Sequence, residues 1–120
     1  MDVLAAVLVA VVAVLHMFFA YLEMVAWKTP RAQQAFGTTP QQAEDTAVLA
    51  ANQGLYNLFV AFGLWWAVFA SGDAGFEFRC VFLGFVVVAG LFGALTVSRR
   101  ILFVQSAPAA VALVVVLLAR

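Results

Sequence analysis

Charge is what this sequence has least of. Asp, Glu, Lys and Arg make up 10% of its 120 residues, where a soluble domain carries about a quarter. With 67% hydrophobic residues, too little polar surface remains to wrap a water-soluble globule, and lipid is the expected solvent. The net charge is zero, which offers no electrostatic basis for nucleic-acid binding. A single cysteine, Cys80, excludes an intrachain disulfide and a CxxC redox pair, and reads as a small apolar packing residue. There is a single histidine, and no HxxxH or ExxH spacing occurs, so no metal site is expected. The chain also has no glycine-rich phosphate loop, nucleophile elbow or Ser-His-Asp set. No cofactor is expected.

What is present is apolar length. A bilayer core needs about 20 apolar residues per helix. Four stretches approach this: residues 3–25, 46–70, 78–97 and 101–119. They predict an all-α fold over 1–120: a single integral membrane domain built as a four-transmembrane-helix bundle with antiparallel neighbours. "WKTPRAQQAFGTTPQQAED" separates the first two spans and holds Pro30 and Pro40. "SGDAGFEFR" is a short glycine-rich loop, and "SRR" is barely a turn. The long first loop has room for a short interfacial helix. Thr39 can cap a helix there and Pro40 suits its first position, and that helix can run on into the second span. Gly84, Gly90 and Gly93 read as close-packing positions on the third span.

The first apolar run lacks the positive head of a signal peptide, because Asp2 precedes it, and it is longer than such peptides require. It is expected to remain as a helix. Orientation follows Lys and Arg. Lys28, Arg31, Arg99 and Arg100 lie in loops one and three, and Arg79 and Arg120 on the other side. This places loops one and three in the cytoplasm of an inner (plasma) membrane.

Polar residues recur at one depth. Taking Trp27 as the membrane edge, about 1.5 Å of rise per residue puts Glu23 roughly 6–8 Å inside. His16 then lies near the midplane. In span two, "ANQGLYN" places Asn52, Gln53, Tyr56 and Asn57 within two helical turns of the same edge. Gln105 lies about one turn into span four, just before Pro108. Three separate stretches therefore deliver polar groups to one half of the bilayer. His16 and Glu23 differ by about 20° around a helix and share a face. The four polar residues of span two fan over about 140°.

A carboxylate inside a membrane costs several kcal/mol unless paired or neutralised, and no Lys or Arg falls clearly inside the spans. Glu23 is therefore expected to carry a proton, to accept hydrogen bonds from groups such as Asn52, Tyr56 or Gln105, or to snorkel to the interface. For His16 the plain alternative is a neutral imidazole satisfied across a helix interface. For the carboxamides it is interhelical glue. The expected ligand-binding or proton-handling set is His16, Glu23, Asn52, Gln53, Tyr56, Asn57 and Gln105.

"HMFFAYLEMVAW", "ANQGLYN" and "VQSAPAAVAL", with Phe36 in the first loop, resemble the small bacterial membrane proteins grouped as domain-of-unknown-function family 1304. The resemblance covers nearly the whole chain and implies a four-helix integral membrane protein. Members sometimes carry an epimerase label, and no sugar-nucleotide motif in these residues supports one.

Three functions compete. The first is binding or transport of a small molecule, coupled to protons through Glu23. Four short helices enclose little space, so a homodimer is expected there. The second is an intramembrane isomerase acting on a lipid-soluble substrate, with Glu23 and His16 shuttling protons and Tyr56 donating. The third is a non-catalytic scaffold or subunit in which the cluster only locks helices. The lipid bilayer is the expected partner in all three.

Overall fold

The computed structural model describes residues 3–120. Met1 and Asp2, the latter the acidic residue ahead of the first apolar run, lie outside them. The chain is all-α. Helix α1 spans Val3–Met24, α2 Pro30–Phe36, α3 Pro40–Phe69, α4 Gly72–Thr96 and α5 Ala107–Leu118. A π-helical segment, Leu102–Ser106, leads into α5. By length and composition, α1, α3 and α4 are able to cross a membrane, and the apolar helix formed by Leu102–Leu118 is shorter.

The helix ends explain where the sequence-based boundaries shift. The first loop holds a short helix, α2, and the helix start expected at Thr39 and Pro40 runs on into the second span as α3. Thr29 is the N-cap of α2, with Pro30 in the first turn, and Gly37 ends it at φ 68. That left-handed angle suits glycine. Thr39 opens α3. Its Oγ accepts from Gln42 N–H at 3.1 Å, and the Gln42 side chain accepts from Thr39 N–H at 2.9 Å. This reciprocal pair satisfies two donors that a helix start leaves without partners, and α3 then runs unbroken to Phe69.

Most of "SGDAGFEFR", expected as a loop, belongs to α4. Only Ala70 and Ser71 separate α3 from α4, and Gly72 turns the chain at φ 65. Arg79, expected as a flanking charge at the loop edge of the third span, is 94% buried within α4. It donates from Nε to Ala67 O at 2.9 Å and from Nη2 to Ala70 O at 2.7 Å. A helix end leaves carbonyls without N–H partners, and this guanidinium satisfies two of them. Gly75 leaves the room: a Cβ there would strike Ala70 O and lie 3.1 Å from Arg79 Nη2.

The π-helical segment follows from Pro108. A proline has no N–H and its ring collides with the carbonyl four residues back, here Val104. The wider turn relieves that collision, and Ala107 N–H reaches back five residues to Leu102 O.

The chain divides into two compact units, one made of the chain up to Val14 with Val60–Arg120, the other of Leu15–Phe59. The core of the first contains Val9, Val12, Leu64, Leu83, Val86, Ala109 and Val116. Within it α4 packs on the π segment and α5. Ser106 Oγ, buried, donates to Val87 O at 2.7 Å, and Gly90 faces Ser106 so closely that a Cβ would meet both its Oγ and its backbone nitrogen. Gly93 lies against Ile101. Gly84, expected as a third close-packing position, meets nothing within 4 Å, because it falls off the stripe that faces α5. In the second unit, Trp27 packs on Phe36 and donates to Thr46 Oγ at 3.2 Å. Lys28 pairs with Glu44 at 2.8 Å.

Substituting Gly90→Val is expected to destabilise the protein in detergent by about 1–3 kcal/mol, the usual cost of overpacking. Gly84→Ala should not lower stability. Thermal unfolding of both variants checks this, and equal effects would contradict the packing described.

Candidate functional site

The site is built on α1. Its buried positions, Val9, Val12, His16, Ala20 and Glu23 among them, recur at three- and four-residue spacing. That spacing keeps them on one face of a helix. His16 and Glu23 therefore share the buried face, as their angles predict. His16 is 1% exposed and Glu23 3%. His16 lies edge-on to Phe19, with ring centroids 5.7 Å apart. The Glu23 side chain is enclosed within the protein.

The partners of Glu23 come from α3. Asn57 Nδ2 donates to Oε2 at 3.0 Å and to Oε1 at 3.2 Å. Gln53 Nε2 donates to Oε1 at 3.3 Å. Among the described residues the ion pair is Lys28–Glu44, so no cation balances the Glu23 carboxylate. The two carboxamides supply dipoles and no charge.

Gly54 brings the helices this close. A Cβ at this position would collide with Met24 Cγ, lie 3.1 Å from Glu23 Cβ and 3.2 Å from Ala20 O. The missing side chain lets the α3 backbone approach α1, so that residues on either side of Gly54 reach the carboxylate. In "ANQGLYN" the glycine is the part that sequence reasoning left without a role, although a glycine inside a polar helical motif signals close backbone approach.

Two expected members point elsewhere. The buried positions of α3 in this unit are Ala43, Ala50 and Gly54. Asn52 and Tyr56 each lie about 160° around the helix from Gly54. Both are exposed, Tyr56 by 62%, and the Tyr56 ring packs edge-on against Phe59. The expected bonds from Asn52 and Tyr56 to Glu23 are thus replaced by bonds from Gln53 and Asn57. Gln105 belongs to the π-helical segment of the other unit and is half-buried. Among the described residues no cluster of three or more His, Cys, Asp or Glu could hold a metal ion.

Residues 10–117 match the family model described as "Protein of unknown function (DUF1304)". The chain belongs to this family. The match takes in all of the Glu23 site and the π-helical segment. The DUF1304 chain is also 30% identical over 116 residues to the "Uncharacterized protein YpaA" of Lactococcus lactis subsp. lactis (strain IL1403), covering 95% of this chain and 97% of that one. No solved structure matches it.

Removal of the Glu23 partners should rank by the bonds lost. Asn57→Leu is expected to cost about 1–3 kcal/mol, the range for a hydrogen bond to a charged or buried group. Gln53→Leu should cost less, and Asn52→Leu should stay within about 0.5 kcal/mol, as for surface positions. Chemical or thermal unfolding in a single detergent gives the order, and Asn52 ranking above Asn57 would contradict the geometry.

Proposed function

We propose that this DUF1304 chain is a four-helix protein of the inner membrane that binds a small cationic molecule at Glu23 and exchanges it for a proton. The observation that carries this reading is the buried Glu23 carboxylate, held by Asn57 and Gln53 with no ion pair among the described residues. Such a group inside a bilayer needs a positive partner or a proton. A cationic ligand would take the place of the proton, and the carboxamides would orient the carboxylate toward it. His16, on the same face of α1, is the next polar group along the path. In this reading α1, α3, α4 and the Leu102–Leu118 helix all cross the membrane as a single domain, with loops one and three in the cytoplasm. Binding and release on opposite sides would make the protein a proton-coupled transporter, acting as a homodimer. Tyr56 would enter the site only when it opens.

A second reading rests on its own observation. Gly54 and the two carboxamides lock α1 to α3 closely, which is what a scaffold or subunit requires. An intramembrane isomerase acting on a lipid-soluble substrate would need an acid and a base flanking a substrate, and Tyr56 is turned away from Glu23.

Glu23→Gln separates binding from scaffold, because it keeps the shape and most of the hydrogen bonding while removing the charge. Tetraphenylphosphonium, a lipophilic cation, serves as probe. The purified protein in weakly buffered detergent is expected to bind it and to release protons in proportion, measured by equilibrium dialysis and a pH indicator. The variant should bind at least about tenfold more weakly, the factor for losing about 1.4 kcal/mol of binding energy. No proton release, with equal binding by both proteins, would leave the scaffold reading in its place.

A further inference from the structure

A second site lies within the other unit, at the turn between α3 and α4. A cleft of about 410 Å³ opens there and is lined by both Arg79 and Arg120. This volume falls in the range of small-molecule sites, about 300–1,000 Å³. Arg79 is 94% buried. Its Nε and Nη2 donate to Ala67 O and Ala70 O, and a guanidinium has five N–H donors, more than these two bonds use. Arg120 lies over the Phe76 ring, its Cζ 4.4 Å from the centroid. That contact holds the guanidinium in place and leaves its edge donors open. Asp73 also lines the cleft, but neither arginine forms an ion pair among the described residues. Two arginines and one aspartate thus line a cleft at the N-terminal end of α4, where the helix dipole is positive as well.

Ser71 and the turn backbone add further polar wall, and apolar side chains supply the remainder. Phe69, Phe76 and Val116 line the same cleft. Such a surface, with two guanidinium groups beside hydrocarbon, matches a molecule with an anionic head and a greasy tail. Arginine forks suit phosphate oxygens, with two parallel N–H groups meeting two acceptors. The cleft also sits where two apolar helices end, which is the headgroup level if those helices cross a bilayer.

We infer that this cleft binds the phosphate of an anionic phospholipid, with Arg79 and Arg120 on the phosphate and the first acyl methylenes against Phe69, Phe76 and Val116. The lipid would supply the charge that balances the buried Arg79, and would fasten the α3–α4 turn to the membrane surface.

Native mass spectrometry of the full chain in detergent, with phosphatidylglycerol or phosphatidylcholine added at equal concentration, tests this directly. Phosphatidylglycerol adducts are expected to dominate. Arg120→Gln should lower their retention about fivefold, the factor for one basic residue near an anionic surface. Arg120 caps no helix, so this variant is expected to fold. Arg79→Lys, which keeps the charge but loses the fork, should weaken retention as well, and Arg99→Gln, away from the cleft, should not. Equal retention of the two lipids, or no change in Arg120→Gln, would overturn the inference. Displacement of the lipid by an equal concentration of inorganic phosphate would overturn it too, because the site would then serve a soluble anion.

Discussion

A buried carboxylate held by neutral carboxamide donors is the constraint on which the Leu15–Phe59 unit depends. Glu23 has given up water and receives three hydrogen bonds from two carboxamides of α3. Hydrogen bonds to an ionised group are stronger than those between neutral groups, but they do not replace a counter-charge. The remainder of the unit keeps this arrangement in register. Gly54 sets the distance between α1 and α3. The Thr39–Gln42 capping pair starts α3 where Asn57 will fall opposite Glu23. The Lys28–Glu44 and Trp27–Thr46 contacts hold the first loop against the start of α3. The site is thus positioned by a helix start, a missing side chain and the first loop.

The other unit answers a different problem with similar means. In an apolar solvent each backbone polar group must find its partner within the protein. Arg79 satisfies the end of α3. The π turn before Pro108 re-routes a helical bond that a proline cannot make. Ser106 donates to a carbonyl of α4, and Gly90 gives it the space to do so. Each device replaces water as a partner, which is consistent with a chain that carries so little charge.

Much of this was legible in the sequence, for reasons that can be stated residue by residue. The all-α class followed from long apolar runs. The shared face of His16 and Glu23 followed from their seven-residue spacing, which returns to nearly the same angle on any helix. The polar motif on α3 was visible as a cluster, but not which half of it faces α1. Four residues spread over about 140° can turn either edge inward, and Gly54 decides between them through a contact with a distant segment. Arg79 was read from its neighbours as a loop charge, because "SGDAGFEFR" has the composition of a turn. Its role as a cap depends on where α3 ends in space. Pro108 was visible just after Gln105, but the wider turn that precedes it is seen in the fold.

The coupling between Glu23 and Asn57 is the most direct quantity to measure. A double-mutant cycle with Glu23→Ala and Asn57→Leu, read by equilibrium unfolding in mixed micelles, isolates it. A coupling energy of about 0.5–2 kcal/mol is expected for a contact inside one hydrogen-bond network of a membrane protein. Losses that add to within about 0.3 kcal/mol, as for distant and independent positions, would mean that Asn57 does not hold the Glu23 carboxylate, and the site built around it would fall.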